Sequence, residues 1–281
     1  MNKDQAFSLF EELIQIAQSE LLDFTLNASL SIDSKADKSV VTECDKAIDQ
    51  KLTQICQERG LQVVSEEGEH VKEIVVGGNY ITIDPIDGTL GYIDYVNKAL
   101  ESGDIRSFLQ TDFGAEHDFS LLLGIAEDGQ PRFAACFNYI TKEKILLDAL
   151  NKDNLVWENN TRNYNQESVV YLDQRFIDDP ITNRLLSLPE TTSIKQATLG
   201  LKSLYTVLNP HESAATVHRV QTAGLWDVLP AAVAAKAFGG NVYDDKGNLL
   251  VLNEYIILPG NGASVIKGRK FQFVVEELKN K

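Results

Sequence analysis

The chain has 281 residues, 43% apolar and 24% charged, which is enough to bury a full core in about two domains or one large one. Its 26 basic residues face 41 acidic ones, a formal charge of −15 that argues against a nucleic-acid polymer or an anionic membrane surface as partner. Cys44, Cys56 and Cys136 form no CxxC pair and the four histidines show no ligand spacing, so a disulfide framework or a zinc site is not expected. The first residues do not read as a signal peptide and no run approaches the length of a membrane span, so the expected location is cytoplasmic.

Residues 4–26 place Phe7, Phe10, Leu13, Ile14, Ala17, Leu21 and Phe24 at helical spacing, an amphipathic helix packed on a core. A second helix follows Asp45, with Ile48, Leu52, Ile55 and Cys56 on one face; Thr42 and Asp45 suit its N-terminal cap. Val63-Val64 is a short apolar strand that runs into Ser65-Glu66-Glu67-Gly68. After the turn Gly77-Gly78-Asn79 comes Ile81-Thr82-Ile83, a β-branched run suited to a buried strand. It stops at Asp84-Pro85-Ile86-Asp87-Gly88-Thr89, where Pro85 cannot extend a ladder and Gly88 permits a tight bend. Residues 93–116 form a polar insert, read as a loop or helix near the mouth of a site.

Residues 118–126, 132–140 and 144–149 are apolar segments separated by Asp128-Gly129 and Thr141-Lys142, which predicts antiparallel hairpins. The polar stretch 151–167 suggests a boundary between an N-terminal half, 1–155, and a C-terminal half, 156–281. The second half alternates. Strands are expected over 168–172, 214–220, 241–243 and 263–267, and helices over 179–188, 201–208, 227–238 and 271–278. In the helix over 227–238 Asp227 reads as the N-cap, Pro230 falls in the first turn and Gly239 ends the run.

Asp84 and Asp87 leave one strand end inside a single turn, and strand ends are where α/β sheets build sites. Two carboxylates held that close repel unless a cation sits between them. Oxygen donors suit a hard divalent ion. Such ions would also reverse the local sign for an anionic substrate on a strongly acidic protein.

The order Glu66-Glu67, then Asp84-Pro85-Ile86-Asp87-Gly88-Thr89, then Trp226-Asp227 before Gly239-Gly240 resembles the Mg²⁺-dependent, lithium-sensitive phosphatase superfamily. Its members include inositol monophosphatase, 3'(2'),5'-bisphosphate nucleotidase and fructose-1,6-bisphosphatase. The resemblance implies an α/β (α+β) fold, a layered α/β/α/β/α sandwich with the site between its halves. It implies two Mg²⁺ ions, the first held by Glu66, Asp84 and the Ile86 carbonyl, the second by Asp84, Asp87 and Asp227. A third, weak ion would sit near Glu66 or Glu67, with Asp37 as a further ligand. It also implies that Asp45 orients Thr89 for proton transfer from water, with Glu66 helping to place that water. The backbone N–H groups of Gly88 and Thr89 would hold the phosphate. Proline is usual in the superfamily where Val40 or Val41 stands, and alanine near Cys44.

Substrate choice turns on fewer residues. Inositol monophosphatases commonly carry a Glu seven positions before the Trp-Asp aspartate, where this chain has Val220. Arg219 matches the arginine of bisphosphate nucleotidases, and Gly200-Leu201-Lys202 resembles their Ser-Leu-Lys. Arginine and lysine suit a second phosphate, so the expected substrate is 3'(2')-phosphoadenosine 5'-phosphate. An inositol or other sugar phosphate is the alternative, favoured by the lack of a Lys-Glu-Phe after Thr89. A homodimer is an expectation drawn from the superfamily alone. A haloacid-dehalogenase mechanism would need its nucleophilic aspartate at position 85, which is Pro85. The remaining rival is a metal- or nucleotide-binding regulator that kept the fold; it would not need the Thr89–Asp45 pair.

Overall fold

The computed structural model describes residues 1–27, 32–34, 40–68, 78–102, 118–160, 168–172, 183, 187, 191–195, 198–208, 213–216, 224–239, 241–244 and 263–267. Helix α1, Lys3–Asn27, buries Ala6, Leu9, Phe10, Leu13, Ile14, Ala17 and Leu21, the stripe its sequence period dictates. A short antiparallel ribbon of β1, Ile32–Ser34, and β2, Val40–Thr42, leads into α2, Glu43–Glu58. The buried stripe of α2 is not purely apolar: Asp45 and Asp49, one turn apart, lie in it beside Cys44, Ile48, Leu52 and Cys56.

A six-stranded sheet follows. Its strands are β3, Gln62–Ser65; β4, Tyr80–Asp87; β5, Ser120–Glu127; β6, Gln130–Asn138; β7, Lys144–Asp148; and β8, Val156–Glu158. They lie side by side in chain order, with β3 and β4 parallel and the later pairs antiparallel. Helix α3, Thr89–Glu101, leaves the end of β4. It covers the start of the 93–116 insert; residues 103–117 lie outside the described residues. The hairpin turns fall where the sequence placed them, with positive φ at Asp128, Gly129 and Lys142.

The second sheet contains β9, Ser168–Leu172; β10, Thr191–Lys195; β11, Ser213–Thr216; β12, Asn241–Asp244; and β13, Ala263–Lys267, in the order β10-β9-β11-β13-β12. Helices α4, Leu199–Leu208, and α5, Leu225–Ala237, lie between the two sheets. All eight residues of β4 are buried, because both faces of its sheet are covered. One face packs Ile81, Ile83, Leu121 and Leu123 against α1, α2 and α3. The other packs Leu122, Ala134 and Cys136 against Leu204, Leu229 and Val233 of α4 and α5. Each such side chain contributes about 1.5–3 kcal/mol on burial. Of the expected α/β/α/β/α sandwich, the layers α/β/α/β are present among the described residues. Of the helix expected over 179–188 only residues 183 and 187 are described, joined by the Ser187 N–H to the Asn183 carbonyl at 3.0 Å; the helix expected over 271–278 and the strand end 217–220 fall outside the described residues.

Two local expectations need correction. The N-cap of α5 is Gly224, not Asp227, which sits in the first helical turn. Pro230 lies inside the helix rather than in its first turn. Gly239 does end the helix, at a φ of 72°.

Candidate functional site

Parallel pairing sets the first part of the site. Ser65 lies opposite Ile83, so the residues that follow each, Glu66 and Asp84, emerge together at the strand ends. The Glu66 N–H donates to the Ile83 carbonyl at 3.1 Å and continues the pairing to that point. The ladder between β4 and β5 then breaks between Asp84 and Asp87. The break lets both aspartates face the same space, instead of alternating as a regular strand would require.

Asp227 arrives from α5. Its carboxylate accepts the Gly224 N–H at 2.7 Å, and one carboxylate oxygen each from Asp84, Asp87 and Asp227 fall within 4.8 Å of one another. Asp87 Oδ2 is held from the other side by the first turn of α4, through the N–H groups of Gly200 at 3.0 Å and Leu201 at 3.1 Å. Two helix N-termini thus donate to the carboxylates, where their partial positive charge is favourable. A third helix, α3, begins beside them at Gly88, with no side chain capping its first N–H groups.

The cluster is under electrostatic strain. Burial pushes the Asp84 carboxyl well above the usual carboxylate range, and the charges of Glu66, Asp87 and Asp227 push it further. Its Oδ1 is buried and accepts no hydrogen bond among the described residues. A buried orphan acceptor among three carboxylates is what a cation would satisfy. The donors are all hard oxygens, with no histidine or cysteine in the group, and they fit Mg²⁺ rather than a softer ion. A divalent-metal-binding carboxylate cluster is present.

Beside it stands the hydroxyl–carboxylate pair. Thr89 Oγ1 donates to Asp45 Oδ1 at 3.1 Å. Asp45 Oδ2 accepts the Thr42 N–H at 2.9 Å and the Thr42 hydroxyl, closing a capping box at the start of α2. Capping and the link to Thr89 are thus both true of Asp45. Burial raises its carboxyl to about 6, against the opposing hydrogen bonds from Thr42 and Thr89.

Of the other residues singled out by sequence, Ile86 lies in the break of β4 and its carbonyl accepts the Thr89 hydroxyl at 3.3 Å. Lys202 is wholly buried on α4, next to Leu201. Arg219, Val220 and Asp37 fall outside the described residues. Sequence reasoning missed the α4 N-terminus as the support of Asp87. It also missed Asp49, whose Oδ1 accepts the Ser65 hydroxyl just before Glu66. The signal for Asp49 was a second aspartate in a helical stripe that otherwise reads as core.

The inositol monophosphatase family profile matches residues 3–275. No curated protein sequence is significantly similar to the chain. Among solved structures, an IMPase/NADP phosphatase complexed with NADP and Ca²⁺ is 13% identical, with a TM-score of 0.71 over 100% of this chain and 97% of that one. A staphylococcal inositol monophosphatase-1, in a lithium-chloride inhibitory complex, is 14% identical, with a TM-score of 0.71 over 100% and 96%. An IMPase-II bound to 2'-AMP is 16% identical, with a TM-score of 0.67 over 99% and 94%. No helix among the described residues is long and apolar enough to cross a membrane. With its acidic metal cluster in place at the meeting of two strand ends and a helix start, the chain belongs to the inositol monophosphatase family of Mg²⁺-dependent phosphomonoesterases.

Proposed function

We propose that this phosphomonoesterase acts on a small ester with a second phosphate, of the 3'(2')-phosphoadenosine 5'-phosphate type. The residues would divide the work as follows. Glu66, Asp84, Asp87, Asp227 and the Ile86 carbonyl would hold two Mg²⁺, and a weaker third would sit near Glu66–Glu67. Magnesium, when bound, supplies Lewis acidity toward the ester and toward water. Thr89 gives its hydroxyl proton to Asp45, which leaves its oxygen lone pairs to accept a proton from the attacking water. The raised carboxyl of Asp45 suits it to take that proton. The uncapped N–H groups at Gly88 and Thr89, at the start of α3, hold the phosphate oxygens.

The observation that carries the hydrolytic reading is the Thr89–Asp45 hydrogen bond beside the carboxylates. A site that only bound metal or nucleotide would have no use for it, which counts against the regulator alternative. For the substrate, Arg219 would supply a cation for a second phosphate, whereas Lys202, wholly buried on α4, would add its charge from behind the site rather than by contact. The NADP and the 2'-AMP bound by two of the fold relatives are compatible with a nucleotide substrate. Inositol phosphate is the second reading, since the Lys-Glu-Phe that nucleotidases place after Gly-Thr is replaced here by Leu90-Gly91-Tyr92.

The test is phosphate release from adenosine 3',5'-bisphosphate, inositol 1-phosphate and fructose 1,6-bisphosphate, each with and without Mg²⁺. The expected result is Mg²⁺-dependent turnover with the highest kcat/KM on the adenosine bisphosphate. A higher kcat/KM on inositol 1-phosphate overturns the substrate choice. No Mg²⁺-dependent release from any of the three overturns the hydrolytic assignment.

A further inference from the structure

The break in the β4–β5 ladder leaves Pro85 and Ile86 without strand partners, so two carbonyls are released beside the carboxylates. The Ile86 carbonyl meets the Thr89 hydroxyl at a long 3.3 Å. The Pro85 carbonyl accepts the Tyr139 hydroxyl at 2.9 Å. Tyr139 comes from just beyond β6, so the bond crosses from the far side of β5.

The ring that makes this bond is held on several sides. Tyr139 is 3% exposed, and its backbone N–H donates to the Phe119 carbonyl at 3.1 Å. Its ring stacks on Phe119, with centroids 5.6 Å apart and an interplanar angle of 28°, and meets Phe137 edge-on at 5.7 Å. Aromatic packing of this kind fixes a hydroxyl in one place without restricting it to a loop's motion. A carbonyl excluded from its ladder and buried must find a donor, and the peptide turns to meet whichever donor is there. The donor's position therefore sets the orientation of the Pro85–Ile86 peptide, and with it the direction in which Asp84 and Asp87 leave the backbone.

We propose that Tyr139 is a positioning residue for the metal centre, its hydroxyl pinning the strand break in the one geometry that presents Asp84 and Asp87 to the same cations. The inference rests on the reading of the carboxylate cluster as a Mg²⁺ site. Tyr139 touches neither substrate nor cation; it acts through the backbone, as groups behind metal ligands do.

Tyr139→Phe keeps the ring contacts and removes the single donor. Magnesium-free protein is titrated with Mg²⁺ by calorimetry. Wild type binds, and Tyr139→Phe binds about tenfold more weakly, the range known for groups that orient metal ligands. Tyr95→Phe is the control, because Tyr95 packs on the same Phe119 ring while the hydroxyl that the Pro85 carbonyl accepts belongs to Tyr139. It retains wild-type Mg²⁺ affinity. A Tyr139→Phe protein that melts earlier but binds Mg²⁺ as wild type does would show a structural hydroxyl and overturn the proposal. Wild type that binds no Mg²⁺ would instead remove the reading of the cluster itself, and the proposal with it. Should Tyr139→Phe not fold, Phe137→Leu removes one wall of the ring and leaves the hydroxyl. Weakened Mg²⁺ binding then supports the proposal, and unchanged binding overturns it.

Discussion

Thr89 and Asp45 lie 44 positions apart and are joined by a hydrogen bond of 3.1 Å. Asp45 is fixed first by its own helix: the capping box with Thr42 holds the carboxylate at the N-terminus of α2 and leaves Oδ1 for Thr89. The Thr89 hydroxyl, proposed to relay the proton, is thus oriented by a group whose own position is set locally. Thr89→Val removes the hydroxyl at constant shape. Its expected effect is a loss of about 10²–10⁴ in kcat, the scale of one proton-transfer group, with Mg²⁺ affinity and melting temperature close to wild type. Phosphate-release kinetics with a parallel Mg²⁺ titration check it.

Without cations, Asp84, Asp87 and Asp227 repel one another inside a buried space. Asp84→Asn therefore melts at a higher temperature than wild type in chelator. In saturating Mg²⁺ the order reverses, because wild type alone gains the binding energy, about 2.7 kcal/mol at a hundredfold excess over Kd. Thermal melts in the two buffers decide it; the same rank order in both would mean that the cluster is not a metal site.

Gly88 holds φ at 100° and caps α3. A Cβ there would overlap Thr198 Cγ2 and lie 3.1 Å from the Asp118 carbonyl. Gly88→Ala is expected to cost about 1–3 kcal/mol in backbone strain, and more if Thr198 cannot move. It also shifts the first N–H groups of α3, so kcat/KM falls with stability. Denaturant melts and steady-state kinetics on the same preparation measure both.

Away from the site, burial opposes ionisation of Asp148, but the Leu150 N–H, the Asn154 amide and Arg132 outweigh it and hold the carboxyl below the usual range. A depressed carboxyl stabilises the fold fully above its unfolded value, near 3.8. That contribution is lost as pH falls from there through the lower folded value. Asp148→Asn should therefore be less stable than wild type at pH 6, and the gap should close in acid. Urea melts at pH 6 and pH 3 test it; a gap that stays constant counts against Asp148 as its source.

The metal-binding acids were legible in sequence because each sits on a short local signal. A β-branched run ending in Asp-Pro-Ile-Asp-Gly names a strand end with two carboxylates, and Trp226-Asp227 before an apolar run names a helix start. Local chemistry carries that information, since turn residues and helix caps depend on near neighbours. The cap itself was misplaced by three residues: a glycine can begin a helix when an acid in the first turn reaches back to its N–H, as Asp227 does to Gly224.

What the sequence determined was the set of chemical groups and the kind of element on which each rides. Only the tertiary structure decided which groups meet. The parallel register of β3 on β4 puts Glu66 beside Asp84, and the placement of α4 between the sheets brings two N–H groups to Asp87. The packing of Tyr139 between two rings takes its hydroxyl to Pro85. None of these contacts leaves a periodic trace in the chain, because each joins segments whose spacing is set by sheet order and core packing rather than by the repeat of a helix or strand.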